Sequence, residues 1–143
     1  MTDWLLDTNV LAELRRPAPN SNVLQFIGSQ PLDRLFVSVV TLAEIRFGIE
    51  LLNDMSRRME LNDWLANKLR PMFESRLLPI TEDIMLKWRL MVEQGRKAGH
   101  TFAPPDLIIA ATAAHHGLTV VSRNTADFER ADVVVVNPWL AVG

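Results

Sequence analysis

The chain has 143 residues, 48% of them apolar and 22% charged, with no cysteine. That is the composition of a globular domain with one core, and it excludes disulfides, thiolate zinc sites and cysteine nucleophiles. A formal net charge of −2 argues against a generic basic nucleic-acid binder, yet twelve of the fifteen basic residues are arginine, whose planar fork suits bidentate contacts to phosphate or carboxylate.

Trp4-Leu5-Leu6 predicts a short strand that ends at Asp7-Thr8-Asn9. Val10, Leu11 and Leu14 carry a helix that Pro17 and Pro19 stop. A second short helix is expected over residues 22–29, with Val23, Phe26 and Ile27 on one face. Residues 35–40 are apolar and β-branched and predict a strand buried on both faces. Thr41 then opens a helix whose stripe is Leu42, Ile45, Ile49 and Leu52, spaced as a core-facing helix requires. Residues 59–72 continue as helix through Leu61, Trp64, Leu65 and Leu69, leaving residues 53–58 as a loop, and a short extended run follows at Arg76-Leu77-Leu78. Thr81 is an N-cap with Glu82 and Asp83 in the first turn, and that helix ends in Arg96, Lys97 and a C′ Gly99. Asp106 opens a helix over residues 107–116 that Gly117 closes; residues 119–122 and 133–136 are strands. Short apolar strands alternating with amphipathic helices predict an α/β fold with a mainly parallel sheet covered on both faces, as one domain over residues 1–143. No basic leader and no apolar run of about 18 residues is present, so no membrane is expected and a cytoplasmic location is.

In such sheets ligands bind outside the carboxyl ends of the strands. Phosphate-binding loops, nucleophile elbows and the paired histidines of zinc hydrolases are missing from the sequence. The adjacent His115-His116 point about 100° apart on a helix and cannot share one metal from one face. Four acids in apolar surroundings remain: Asp7, Glu44, Asp106 and Asp127. Each also has a structural reading. Asp7 and Asp106 suit N-caps, Glu44 stands three residues after Thr41 at capping-box spacing, and Asp127 suits a turn before Phe128. If they converge, each raises the others' pKa, and a hard cation such as Mg²⁺ or Mn²⁺ relieves the repulsion. Such an ion serves phosphodiester chemistry.

Leu6-Asp7-Thr8-Asn9-Val10, Ser38-Val39-Val40-Thr41-Leu42-Ala43-Glu44, Pro105-Asp106-Leu107-Ile108-Ile109 and Ser122-Arg123-Asn124-Thr125-Ala126-Asp127-Phe128, in that order, closely resemble PIN-domain ribonucleases. The likeness is strongest to the VapC toxins of bacterial toxin–antitoxin modules and their FitB-like branch, and it extends to Asn137-Pro138-Trp139. The resemblance implies a three-layer α/β/α sandwich and an Mg²⁺- or Mn²⁺-dependent endoribonuclease. It also implies a homodimer neutralised by a small DNA-binding antitoxin. Asp7 and Asp106 match the family's direct metal ligands and Glu44 its second acid, which ligates the ion or orients its water. The fourth acidic position falls to Asn124 or to Asp127. Thr8 and Thr125 match hydroxyls that orient water or phosphate, Arg123 is a candidate phosphate clamp, and Phe47, Gly48 and Leu51 form an apolar shelf for the antitoxin. The rival readings are a PIN-like module that only binds or regulates, and another Mg²⁺-dependent nuclease or phosphatase. Asp7-Thr8-Asn9 lacks the paired-aspartate start of haloacid-type phosphatases, and the acids that a binding-only module would lose are present.

Overall fold

Successive residues of a strand point to opposite faces of a sheet. In β1 (Trp4–Leu6), Leu5 enters one core and Leu6 the other. β4 (Thr119–Val121) repeats the pattern with Val120 and Val121. In β2 (Leu35–Ser38), Leu35 and Val37 join the core of Leu6 while Phe36 packs against the other. The computed structural model describes residues 1–140, and its sheet is accordingly buried on both faces.

All strand pairs are parallel, in the order β3-β2-β1-β4-β5, with β3 at Leu77–Leu78 and β5 at Val135–Val136. One core takes side chains from α1 (Thr8–Leu14), α2 (Ser21–Gly28) and α4 (Met55–Trp64), whose helical path runs on through a π-helical stretch, Leu65–Leu69, into α5 (Arg70–Met72). The other core takes them from α6 (Glu82–Lys97), α7 (Pro104–His116) and α8 (Thr125–Arg130). Between them α3 (Val39–Glu50) gives Val40 to one core and Leu42 and Ile49 to the other. The result is the α/β/α sandwich. The chain grows outward from β1 through β2 to β3, then crosses back to β4 and β5, so the carboxyl ends of β1 and β4 form the topological switch point.

Several boundaries differ from the sequence reading. The strand expected to reach Val40 ends at Ser38, because the Ser38 hydroxyl accepts the Val40 N–H at 3.1 Å and starts α3 there. Thr41 therefore caps nothing. Most of the loop expected at 53–58 is helix, since Asp54 accepts from the N–H groups of Ser56 and Arg57 at 3.0 and 3.3 Å. α7 begins at Pro104, where proline's missing N–H and fixed φ are tolerated, so Asp106 is its third residue and not its cap. β5 starts two residues later than the apolar run that predicted it. Gly99 and Gly117 occupy left-handed backbone (φ 79° and 68°) just past α6 and α7, as expected of C′ glycines. All four tryptophans are half-buried and pack against the cores. Among the described residues no helix is long and apolar enough to cross a membrane.

Candidate active site

The switch point is tied together by hydrogen bonds. The Asp7 N–H donates to the Val121 carbonyl at 3.0 Å, which locks the residue after β1 onto β4. The Asp7 side chain is only 4% exposed. One carboxylate oxygen accepts the Thr8 N–H at 2.8 Å and so caps α1; the other accepts the Ser122 hydroxyl at 2.7 Å. Burial raises the Asp7 pKa, against which the bonds from Ser122 and from the Thr8 backbone act.

Ser122 is the first residue beyond β4 and is fully buried. Besides donating to Asp7, its oxygen accepts the Asn9 side-chain amide at 3.1 Å and the Asn124 N–H at 3.0 Å. The hydroxyl's one donor and two acceptor sites are thereby all used. Asn9 in turn accepts the Arg123 N–H at 3.2 Å. The sequence alone marks neither Ser122 nor Asn9, although Ser122 directly follows β4 and Asn9 lies in the first turn of α1.

α7 brings in Asp106 from one side and α3 brings in Glu44 from another. Both line a cavity of about 260 Å³ together with Asp7, Thr8 and Asn124. The pKa of Asp106 is pushed up to about 6, first by burial and then by the negative charges of Asp7, Asp127 and Glu44, while a hydrogen bond from Asn124 opposes the rise. The Asn124 amide donates at 3.0 Å to Asp106 and at 3.0 Å to Asp127, so one polar NH₂ group stands between two carboxylates. Asn124 thus occupies the cavity and Asp127 lies behind it, with Arg130 at 3.6 Å.

The remaining expected residues separate. Thr8 is half-buried and lines the cavity; Thr125, at the start of α8, does not. Arg123 lies over the Trp139 ring at 5.1 Å and not in the acid cavity. On α3, Gly48 lines an adjoining groove, while Phe47 and the C-cap Leu51, 60% and 65% exposed, stand outside it. His115 and His116 close α7 with their rings edge to face, away from the acids. Among the described residues no three acidic or imidazole side chains form a closed ligand cluster. The donor set nonetheless fits a hard cation: it is oxygen-rich, lacks sulfur, and the neighbouring negative charges add to the rise in the Asp106 pKa.

The PIN domain model matches residues 4–134. The chain is 38% identical to Toxin FitB of Neisseria gonorrhoeae over 94% of its own length and 97% of the relative's. It is 35% identical to VapC ribonuclease Y4jK of Sinorhizobium fredii, over 94% and 96% respectively. Among solved structures, FitAcB from Neisseria gonorrhoeae superposes with a TM-score of 0.89 at 38% identity, covering 95% of this chain and 98% of the other.

Proposed function

The chain belongs to the PIN-domain family, and from that premise we propose that it is a divalent-metal-dependent endoribonuclease, the toxin of a toxin–antitoxin module. The observation that carries the reading is the convergence of Asp7, Glu44 and Asp106 on one cavity at the switch point, where Asp106 is lifted to about 6. Asp7 and Asp106 are the residues that hold Mg²⁺ or Mn²⁺, with Glu44 and Asn124 beside them. Once bound, the ion supplies neutralisation of the acids and of the scissile phosphate, and activation of water.

The chain's own residues do the positioning. Ser122 fixes the Asp7 carboxylate, Thr8 offers a hydroxyl to water or phosphate, and Asp127 holds the Asn124 amide in place from behind. Hydrolysis joins the oxygen of water to phosphorus as the bond to the 3′ oxygen breaks, leaving a 5′ phosphate and a 3′ hydroxyl. A relative at 38% identity is named a toxin, which supports a cognate antitoxin, and a homodimer in a cytoplasmic setting completes the proposal.

The test is purified protein with total RNA, with and without Mn²⁺, and mapping of the new 5′ ends. New ends that need metal and disappear in Asp106→Asn are expected. RNA left intact by the metal-loaded wild type refutes the reading.

A further inference from the structure

A groove of about 330 Å³ adjoins the acid cavity and shares Thr8 and Glu44 with it. Its other polar lining is Arg15 and Arg57, and its apolar wall includes Leu61 and Trp64. Thr8 begins α1 and Arg15 caps its end, so the arginine stands about 10 Å along the helix from the acid site at 1.5 Å per residue. Like charges face each other here: burial, followed by the charge of Arg57, lowers the Arg15 pKa. Among the described residues Arg15 has no ion pair, and Arg57 has only an exposed contact with Glu60 at 3.4 Å. The neighbouring Arg58, by contrast, is paired with Glu50 at 3.0 Å.

Two guanidinium groups share one groove, Arg15 without an ion pair among the described residues and Arg57 with only the exposed Glu60, and together they suit an anion. We infer that Arg15 and Arg57 form a phosphate subsite for the RNA strand next to the cut, with Trp64 and the apolar wall receiving the adjoining base. The inference rests on the ribonuclease reading and deepens it. A bare anion leaves the apolar wall unused, whereas a nucleotide uses both halves of the lining. RNA is the occupant that both the arginines and the apolar wall fit.

The experiment is fluorescence anisotropy of a labelled single-stranded ten-nucleotide RNA, titrated with the full-length protein in EDTA across a salt series, so that binding is read without cleavage. Arg15→Gln and Arg57→Gln should each weaken binding roughly three- to tenfold at low salt and lower the slope of log affinity against log salt by about 0.7. Arg15→Lys and Arg57→Lys should restore the slope, which loss of structure would not allow, and Lys97→Gln at the end of α6 should change nothing. If both glutamine variants bind RNA as the wild type does, while the wild type cleaves it with Mn²⁺, the subsite is wrong and the ribonuclease stands. If they bind RNA normally but lose the antitoxin, the groove belongs to the protein partner and the subsite is again wrong. If the wild type neither binds nor cleaves RNA, the ribonuclease reading fails and takes the subsite with it.

Discussion

Asp106 carries a charge that the fold resists. Its folded pKa of about 6 lies above the ordinary carboxyl value, so the native state binds this proton more tightly than the unfolded chain does. Without metal, the resulting linkage makes stability fall as pH rises from about 4 to about 6 and leaves the penalty fully in place above that. Asp106→Asn should therefore melt higher than the wild type in EDTA at neutral pH, with the gap closing toward pH 4, and should lose cleavage in Mg²⁺. Asp7→Asn should also lose cleavage yet stay folded, because asparagine can still accept the Thr8 N–H as a cap. Wild-type turnover in either variant would remove that residue from the metal's ligands. Ser122 acts through Asp7. Deleting its hydroxyl removes the hydrogen bond that most opposes the rise in Asp7, so Ser122→Ala should move the acid limb of the pH–rate profile to higher pH, at a stability cost of about 1–3 kcal/mol. A melting loss with an unmoved limb would mean that Ser122 is only structural. Asp7 and Asp106 were legible in the sequence because a carboxylate beside Leu-Leu or Leu-Ile-Ile is conspicuous. Ser122 was not, because its bond to Asp7 spans 115 residues and only the pairing of β1 with β4 brings the two together.

At the scale of elements, the start of α3 shows how local chemistry overrides propensity. Val39 and Val40 are β-branched and extend the strand pattern of β2, yet the Ser38 hydroxyl ends the strand and begins the helix. That shift also decides what Glu44 does. Thr41 lies inside the helix with its hydroxyl buried and without a hydrogen-bond partner, so no capping box joins it to Glu44, which is exposed on the cavity side. Thr41→Val should stabilise the protein by about 1 kcal/mol, since it swaps an unsatisfied hydroxyl for a methyl of the same shape. Ser38→Ala should cost about 1 kcal/mol through the lost cap. Glu44→Gln and Glu44→Ala should both leave the melting temperature unchanged while reducing cleavage. A drop in stability for Glu44→Ala alone would restore the capping role. The same logic moved Asp106 from a cap to the third residue of its helix: Pro104-Pro105 start α7 earlier than the apolar periodicity does. Alternation of strand and helix was readable throughout, because it is written in apolar spacing; which residue ends an element was not, because one side-chain hydrogen bond decides it.

Across the whole molecule the net charge of −2 conceals a division of labour. Carboxylates gather at the switch point, and Arg15 and Arg57 gather in the groove beside it. On the proposed reading, RNA bound across both regions would have its phosphates held by the arginines and would need a divalent cation to approach the acids. A protein inhibitor meets the opposite situation, because a cation of its own can satisfy the acids in place of the metal. Phe47 on α3 and Leu51 at its C-cap, one turn apart and both exposed, offer such a partner an apolar shelf beside Glu44. An arginine reaching from that shelf into the cavity would find the carboxylates of Asp7 and Asp106 with their mutual repulsion unrelieved, and its fork can supply the hydrogen bonds that make a desolvated ion pair favourable. Antitoxin and Mg²⁺ should therefore compete, and the partner's C-terminal segment alone should inhibit cleavage. Calorimetry of that peptide at rising Mg²⁺ should show affinity falling further than in a monovalent salt of matched ionic strength. Phe47→Ala with Leu51→Ala should weaken the peptide by roughly tenfold or more while leaving RNA binding in EDTA unchanged, since neither side chain lines the groove. Affinity indifferent to Mg²⁺ would replace displacement of the metal with simple covering of the RNA path, and the alanine pair would then still tell whether the cover rests on α3.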